Sequence, residues 1–126
     1  MANPSVPAQN QPTGSGTEIV KRAWAQSIDN NTTTVLITGV DGHLYTVLSI
    51  FISNGSSSAT SDFILRVRAD SGSNYPHVIR QQSIGPYGTF IVNDKIVLTN
   101  TDDLEIYTAA AGDLRVYCSY IDQDWS

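Results

Sequence analysis

Two histidines, one cysteine and twelve carboxylates are the groups in this 126-residue chain able to move a proton, attack a carbonyl or hold a metal. A nucleophilic site needs an attacking group, a base and an orienting partner that converge. A zinc site needs His or Cys at short, repeated spacing. Neither pattern is present. His43 follows the pair Asp41-Gly42 and His77 follows Pro76, so each reads as a polar residue at a strand end. Cys118 alternates with Val116 and Tyr120 and has no histidine near it in sequence, which predicts a buried, inert thiol. Asp102-Asp103, with Asp94 and Asp113 close in sequence, could gather into the oxygen-rich loop that calcium favours. No Asp-x-Asp-x-Asp-Gly loop accompanies them, and aspartates at turns bond their own backbone. Asp62, Asp70, Asp122 and Asp124 are read in the same way. No catalytic residue, cofactor or metal ligand is assigned.

Aromatic side chains carry a different chemistry, stacking on sugar faces or filling partner pockets. Trp24, Tyr45, Tyr107, Tyr117 and Tyr120 fall at alternating strand positions, where core packing is the default. Tyr75 and Tyr87 lie in or beside loops and are the candidates for a ligand surface. Trp125 is expected to pack on this domain or on a neighbour. Asn30, Asn31 and Asn54 match the N-glycosylation acceptor pattern. With no basic region and apolar stretch at the N-terminus to mark a signal peptide, those matches are read as chance.

The charge balance narrows the partners. Net charge is −5 and the isoelectric point about 4.6. Seven cations are scattered along the chain, whereas a duplex nucleic-acid binder concentrates them in a stripe. No run approaches the roughly 18 consecutive apolar residues of a membrane-spanning helix. Neither nucleic acid nor membrane is an expected partner.

The elements that must position these residues are strands. Residues 1–17 are rich in Pro, Gln, Asn, Gly and Ser. Pro4, Pro7 and Pro12 favour extended backbone and forbid a helix, so this segment reads as an extended arm that a partner must hold. Residues 18–126 read as one β-sandwich domain. Short alternating runs, separated by turn residues, follow at Ile19–Ile28, Thr34–Thr38, His43–Ser53, Asp62–Asp70, Tyr75–Ser83, Thr89–Val92 and Lys95–Thr99. Thr17–Gln26 also holds fair helix formers, but the alternation favours a strand. Pro76 places the fifth run at an edge. Asp41-Gly42 and Asn93-Asp94 signal tight turns. The stretch LEIYTAAAGDLRVYCSYI, Leu104 to Ile121, predicts a closing antiparallel hairpin. Leu104, Ile106, Leu114 and Val116 point into the core, and Tyr107 and Tyr117 lie together on the opposite face with Glu105 and Arg115. The fold class is all-β: a single antiparallel β-sandwich, jelly-roll-like, of eight or nine strands with an extended N-terminal arm.

The second half, from KIVLT through the acidic turn to LEIYTAAAGD and LRVYCSYI, resembles small virion structural proteins of tailed bacteriophages. HLYTVLSIFISNGSSSATSDFILRV is similar to the central strand, polar loop and next strand of that class. The resemblance spans roughly residues 33–121 and carries no catalytic residues. It implies a non-enzymatic β-sandwich located in a virion assembled in the host cytoplasm. The expected function is capsid decoration (cement), with a neck or tail accessory role as the alternative. A receptor- or glycan-binding module is the alternative from another class. Expected partners are the major capsid protein, or neck and tail proteins, and further copies of the chain, with a trimer favoured. The candidate interface residues are Pro4, Pro7, Pro12, Tyr107, Tyr117, Ile121 and Trp125.

Overall fold

A computed structural model describes residues 17–28, 32–58, 60–108 and 113–125. Pro4, Pro7, Pro12 and the Ala109–Gly112 connection lie outside the described residues. Among the described residues nine strands form, one for each alternating run: β1 Thr17–Ile28, β2 Thr32–Ile37, β3 His43–Asn54, β4 Ser61–Arg68, β5 His77–Ile84, β6 Thr89–Val92, β7 Ile96–Thr99, β8 Asp103–Thr108 and β9 Leu114–Asp124. The Thr17–Gln26 ambiguity resolves in favour of a strand. β5 is an edge strand, as Pro76 requires.

The strands make two antiparallel sheets. Sheet A runs β1-β9-β3, with both β6 and β7 on the far side of β3. Sheet B runs β2-β8-β4-β5. β6 pairs with the C-terminal half of β3 (Ile50 opposite Val92) and β7 with the N-terminal half (Val47 opposite Ile96). Both run antiparallel to β3, so they are two pieces of one lane, and Asn93-Asp94 interrupts that lane without reversing the chain. The result is two four-lane sheets in jelly-roll order.

The closing hairpin does not form. β8 pairs with β2 and β4 in sheet B, whereas β9 pairs with β1 and β3 in sheet A. β8 and β9, consecutive in sequence, therefore belong to different sheets. The Asp41-Gly42 turn also misleads. It is made, with Gly42 at φ 83° and the His43 N–H bonded to Val40 O at 3.0 Å. It links β2 of one sheet to β3 of the other.

The core sits between the sheets. Ile50, Ile52, Leu114, Val116 and Cys118 of sheet A meet Phe63, Leu65, Leu104 and Ile106 of sheet B, all buried. The four hairpin residues expected in the core are there, contributed by two sheets facing each other. Phe63 and Phe90 join the layers edge to face at 5.7 Å, a geometry aromatic quadrupoles favour. Asn54, although it matches a glycosylation pattern, is buried, and its Nδ2 donates to Ile84 O at 3.1 Å.

Candidate interaction surface

The side chains that alternate away from the core in sheet A form the most distinctive surface of the domain. Ala23, Cys118, Ile50 and Val92 are in register across β1, β9, β3 and β6 and point inward. One residue along, Trp24, Tyr117, Phe51 and Ile91 are in register on the same four strands and point outward. They are 60, 40, 42 and 49% exposed. A second outward row runs Val20–Ile121–Thr46–Val97, in which Val20 and Val97 are exposed. Arg22, Ser119 and Ser49 lie between the rows. An apolar face of this kind marks an interaction site, and Trp and Tyr are the residues that dominate such contacts.

The outer face of sheet B has another character. Arg66 Nε donates to Glu105 Oε1 at 3.0 Å. The Arg66 guanidinium also lies 4.5 Å from the centre of the Tyr75 ring and 5.7 Å from that of Tyr107, within cation–π range. Sheet B thus turns a packed charged group to the outside, and sheet A turns out apolar rings.

This arrangement separates the sequence candidates. Tyr117 and Ile121 lie together on the sheet A face. Tyr107 does not share that face, because its strand belongs to sheet B, and it stacks with Arg66. Tyr75 covers the same guanidinium. Tyr87 is exposed at positive φ, 56°, its N–H bonded to Ser56 O at 3.1 Å. Trp125 is half exposed and donates its backbone N–H to Gly42 O at 2.9 Å. Sequence reasoning missed Trp24, Phe51, Ile91, Val20 and Val97. Trp24 and Val20 share parity in β1, but only the insertion of β9 beside β1 shows that their face is the outer one.

A second cluster joins β1, β3 and β9 of sheet A. Asp122 is buried within β9, near its C-terminal end, not at a turn as expected. Its carboxylate accepts from Lys21 Nζ at 2.8 Å and lies 2.7 Å from His43 Nδ1. Burial pushes the Asp122 carboxyl up, but the hydrogen bonds from Lys21 and His43 outweigh it and hold the group below its ordinary value. The hydrogen bond to Asp122 raises Lys21 against a smaller opposing effect of burial. His43 Nε2 faces Asp124 at 3.6 Å, and the ring stacks on Tyr45 at 5.7 Å. Both ring nitrogens are directed at carboxylates, so neither is aimed at a substrate, and the cluster ties β1, β3 and β9 together. Asp102 and Asp103 do cap backbone, accepting from Asp70 N and Gly39 N at 2.9 Å each. Cys118 is buried on the core face, and burial pushes its thiol up to about 12.

No protein-family model matches the sequence, and a sequence search of curated proteins finds no match. Solved structures do match the fold. A chain of the disulfide-linked pili that form Bacillus endospore appendages aligns with TM-score 0.54 and 13% identity, covering 99% of this chain and 100% of that one. A chain of the acid-stable capsid of the Helicobacter pylori bacteriophage KHP30 aligns with TM-score 0.54 and 13% identity, covering 88% and 94%. The CBM22-1 xylan-binding domain of Paenibacillus barcinonensis Xyn10C aligns with TM-score 0.50 and 12% identity, covering 94% and 91%. What they share with this chain is the β-sandwich. At these identities the jelly roll is common ground among a pilus, a capsid and a sugar-binding module, and function has to be argued from the surface.

Proposed function

We propose that the chain is a non-enzymatic structural subunit of a bacteriophage virion, a decoration protein that binds neighbours on the head through the outer face of sheet A. The observation that carries this reading is the row Trp24–Tyr117–Phe51–Ile91, exposed across all four lanes of one sheet while the other sheet turns out a packed charged group. A subunit that lives in a shell needs such a face, and an enzyme does not. The match to the KHP30 capsid supports the reading. Its coverage is high in both directions, so that chain is of closely similar length. The sequence resemblance to small virion proteins points the same way. The matched pili are disulfide-linked, but the single cysteine here is buried with a thiol held protonated. A disulfide to a neighbour through Cys118 is therefore not part of this reading.

The test is the copy number in purified virions. A decoration protein is present in step with the major capsid protein. A neck or tail accessory protein, the nearest rival, is present in tens of copies at most. Absence from the particle overturns both.

A second reading is a glycan-binding module. It is favoured by the aromatic row itself and by the shared fold with a xylan-binding domain, with Tyr75 and Tyr87 as further candidates. Electrophoresis through soluble xylan decides it: migration slowed in the intact chain and restored in Trp24→Ala supports sugar binding, and unchanged migration defeats it.

A further inference from the structure

We propose that the apolar outer face of sheet A is covered by the N-terminal segment, residues 1–16, of a neighbouring copy of the chain. The proposal rests on the reading of that face as an interface and names its occupant.

Three observations carry it. The first is chemical match. The segment MANPSVPAQNQPTGSG has no charged side chain and three prolines. Proline-rich segments favour the polyproline II conformation and dock on aromatic surfaces at low entropic cost. Trp24, Tyr117 and Phe51 supply such a surface, whereas on the outer face of sheet B the Tyr75 and Tyr107 rings are engaged by the charged Arg66 guanidinium.

The second is reach. Sixteen residues in polyproline II conformation span about 50 Å. The four lanes of sheet A are about 15 Å from first to last. One segment can cross the whole row and still bridge to its own domain.

The third is direction. The segment joins the domain at Thr17, where β1 begins opposite Asp124. β1 then runs toward Trp24, seven residues on and about 23 Å away. A segment that continues the line of β1 upstream of Thr17 runs away from the domain's own aromatic row. To cover that row in the same copy the chain must double back, whereas a copy placed beyond the end of the sheet receives it directly. Such a contact is head-to-tail. It closes into a ring, a trimer among the options, or runs on as a string.

Light scattering on full-length variants tests this. The intact chain should exceed the single-chain mass of 13.7 kDa. Trp24→Asp, which spoils the face, should fall to 13.7 kDa. So should the triple variant Pro4→Asp, Pro7→Asp, Pro12→Asp, which spoils the arm. Mixed in equal amounts, the two should form a species of twice that mass, because the first supplies an arm and the second a face. Thermal melting confirms that each variant folds, and Phe51→Ser replaces Trp24→Asp if it does not. If the arm variant keeps the intact mass while Trp24→Asp loses it, the face is an interface with another occupant and the proposal is overturned. If neither variant changes the mass, the reading of the face as an interface between copies fails as well. An intact chain of single-chain mass at every concentration also overturns it.

Discussion

His43 Nδ1 lies 2.7 Å from Asp122 Oδ1, although 79 residues separate the two in the chain. The contact joins the start of β3 to the end of β9, and Lys21 of β1 completes it from the other side. Three strands of sheet A are thereby pinned at one end by a buried carboxylate.

Asp122→Asn should lower stability by about 2 kcal/mol, the scale of a charge-assisted hydrogen bond, or roughly 8 °C in melting temperature. The exposed side of Lys21 keeps the loss below that of a fully buried pair. The pH dependence has a definite sign. Asp122 is held below its ordinary value of 3.8 in the folded chain. Its stabilisation is therefore fully present above that value and drains away as the pH falls through the lower folded value. The melting-temperature gap between the intact chain and Asp122→Asn should be constant from neutral pH to about pH 5 and shrink below pH 4. A gap that persists in acid would assign the effect to packing.

Tyr117→Glu should leave the fold intact, with a stability change within about 0.5 kcal/mol, as for other surface substitutions. It should nonetheless remove the protein from particles or lower its mass in solution. Unchanged occupancy and mass would show that the row is not an interface.

Cys118 should resist thiol reagents under native conditions and react only as fast as the domain opens, because it is buried and its thiol is pushed up to about 12. Labelling should accelerate with denaturant. Cys118→Ala should cost about 1–2 kcal/mol through a small cavity.

Phe63→Ala should be the most damaging single truncation among these. It removes a fully buried ring from sheet B and deletes its edge-to-face contact with Phe90 of sheet A. A loss of about 3–5 kcal/mol in urea unfolding is expected.

All nine strands were legible because alternation is a local property that each run displays by itself. Pairing is not local. Ala109–Gly112 and Asp41-Gly42 have the composition of hairpin turns, yet both lie between strands of different sheets, and nothing in four small residues distinguishes a reversal within a layer from a step between layers. Asn93-Asp94 likewise has the composition of a turn, yet it interrupts a single lane. The site suffered in proportion. Alternation puts Tyr107 and Tyr117 on one face only if their strands are neighbours, and they are not. Trp24, the most exposed residue of the aromatic row, reads as a core residue from sequence because alternation gives two faces without saying which one is covered. Asp122 looked like a turn residue in the polar run IDQD, and its partners stand 79 and 101 residues upstream.

The place of β9 between β1 and β3 sets an order on synthesis. β1 is made first, but its sheet neighbour is the last strand of the domain. While residues 29–113 are being translated, β1 has no ladder to join, and its apolar face is offered to whatever is nearby. The fourth strand of sheet B is complete at Thr108, whereas sheet A waits for β9, which ends at Asp124. The domain therefore gains its second layer only once residues 114–124 have emerged, and ribosomes stalled short of that point should carry chains that proteases still cut within β1.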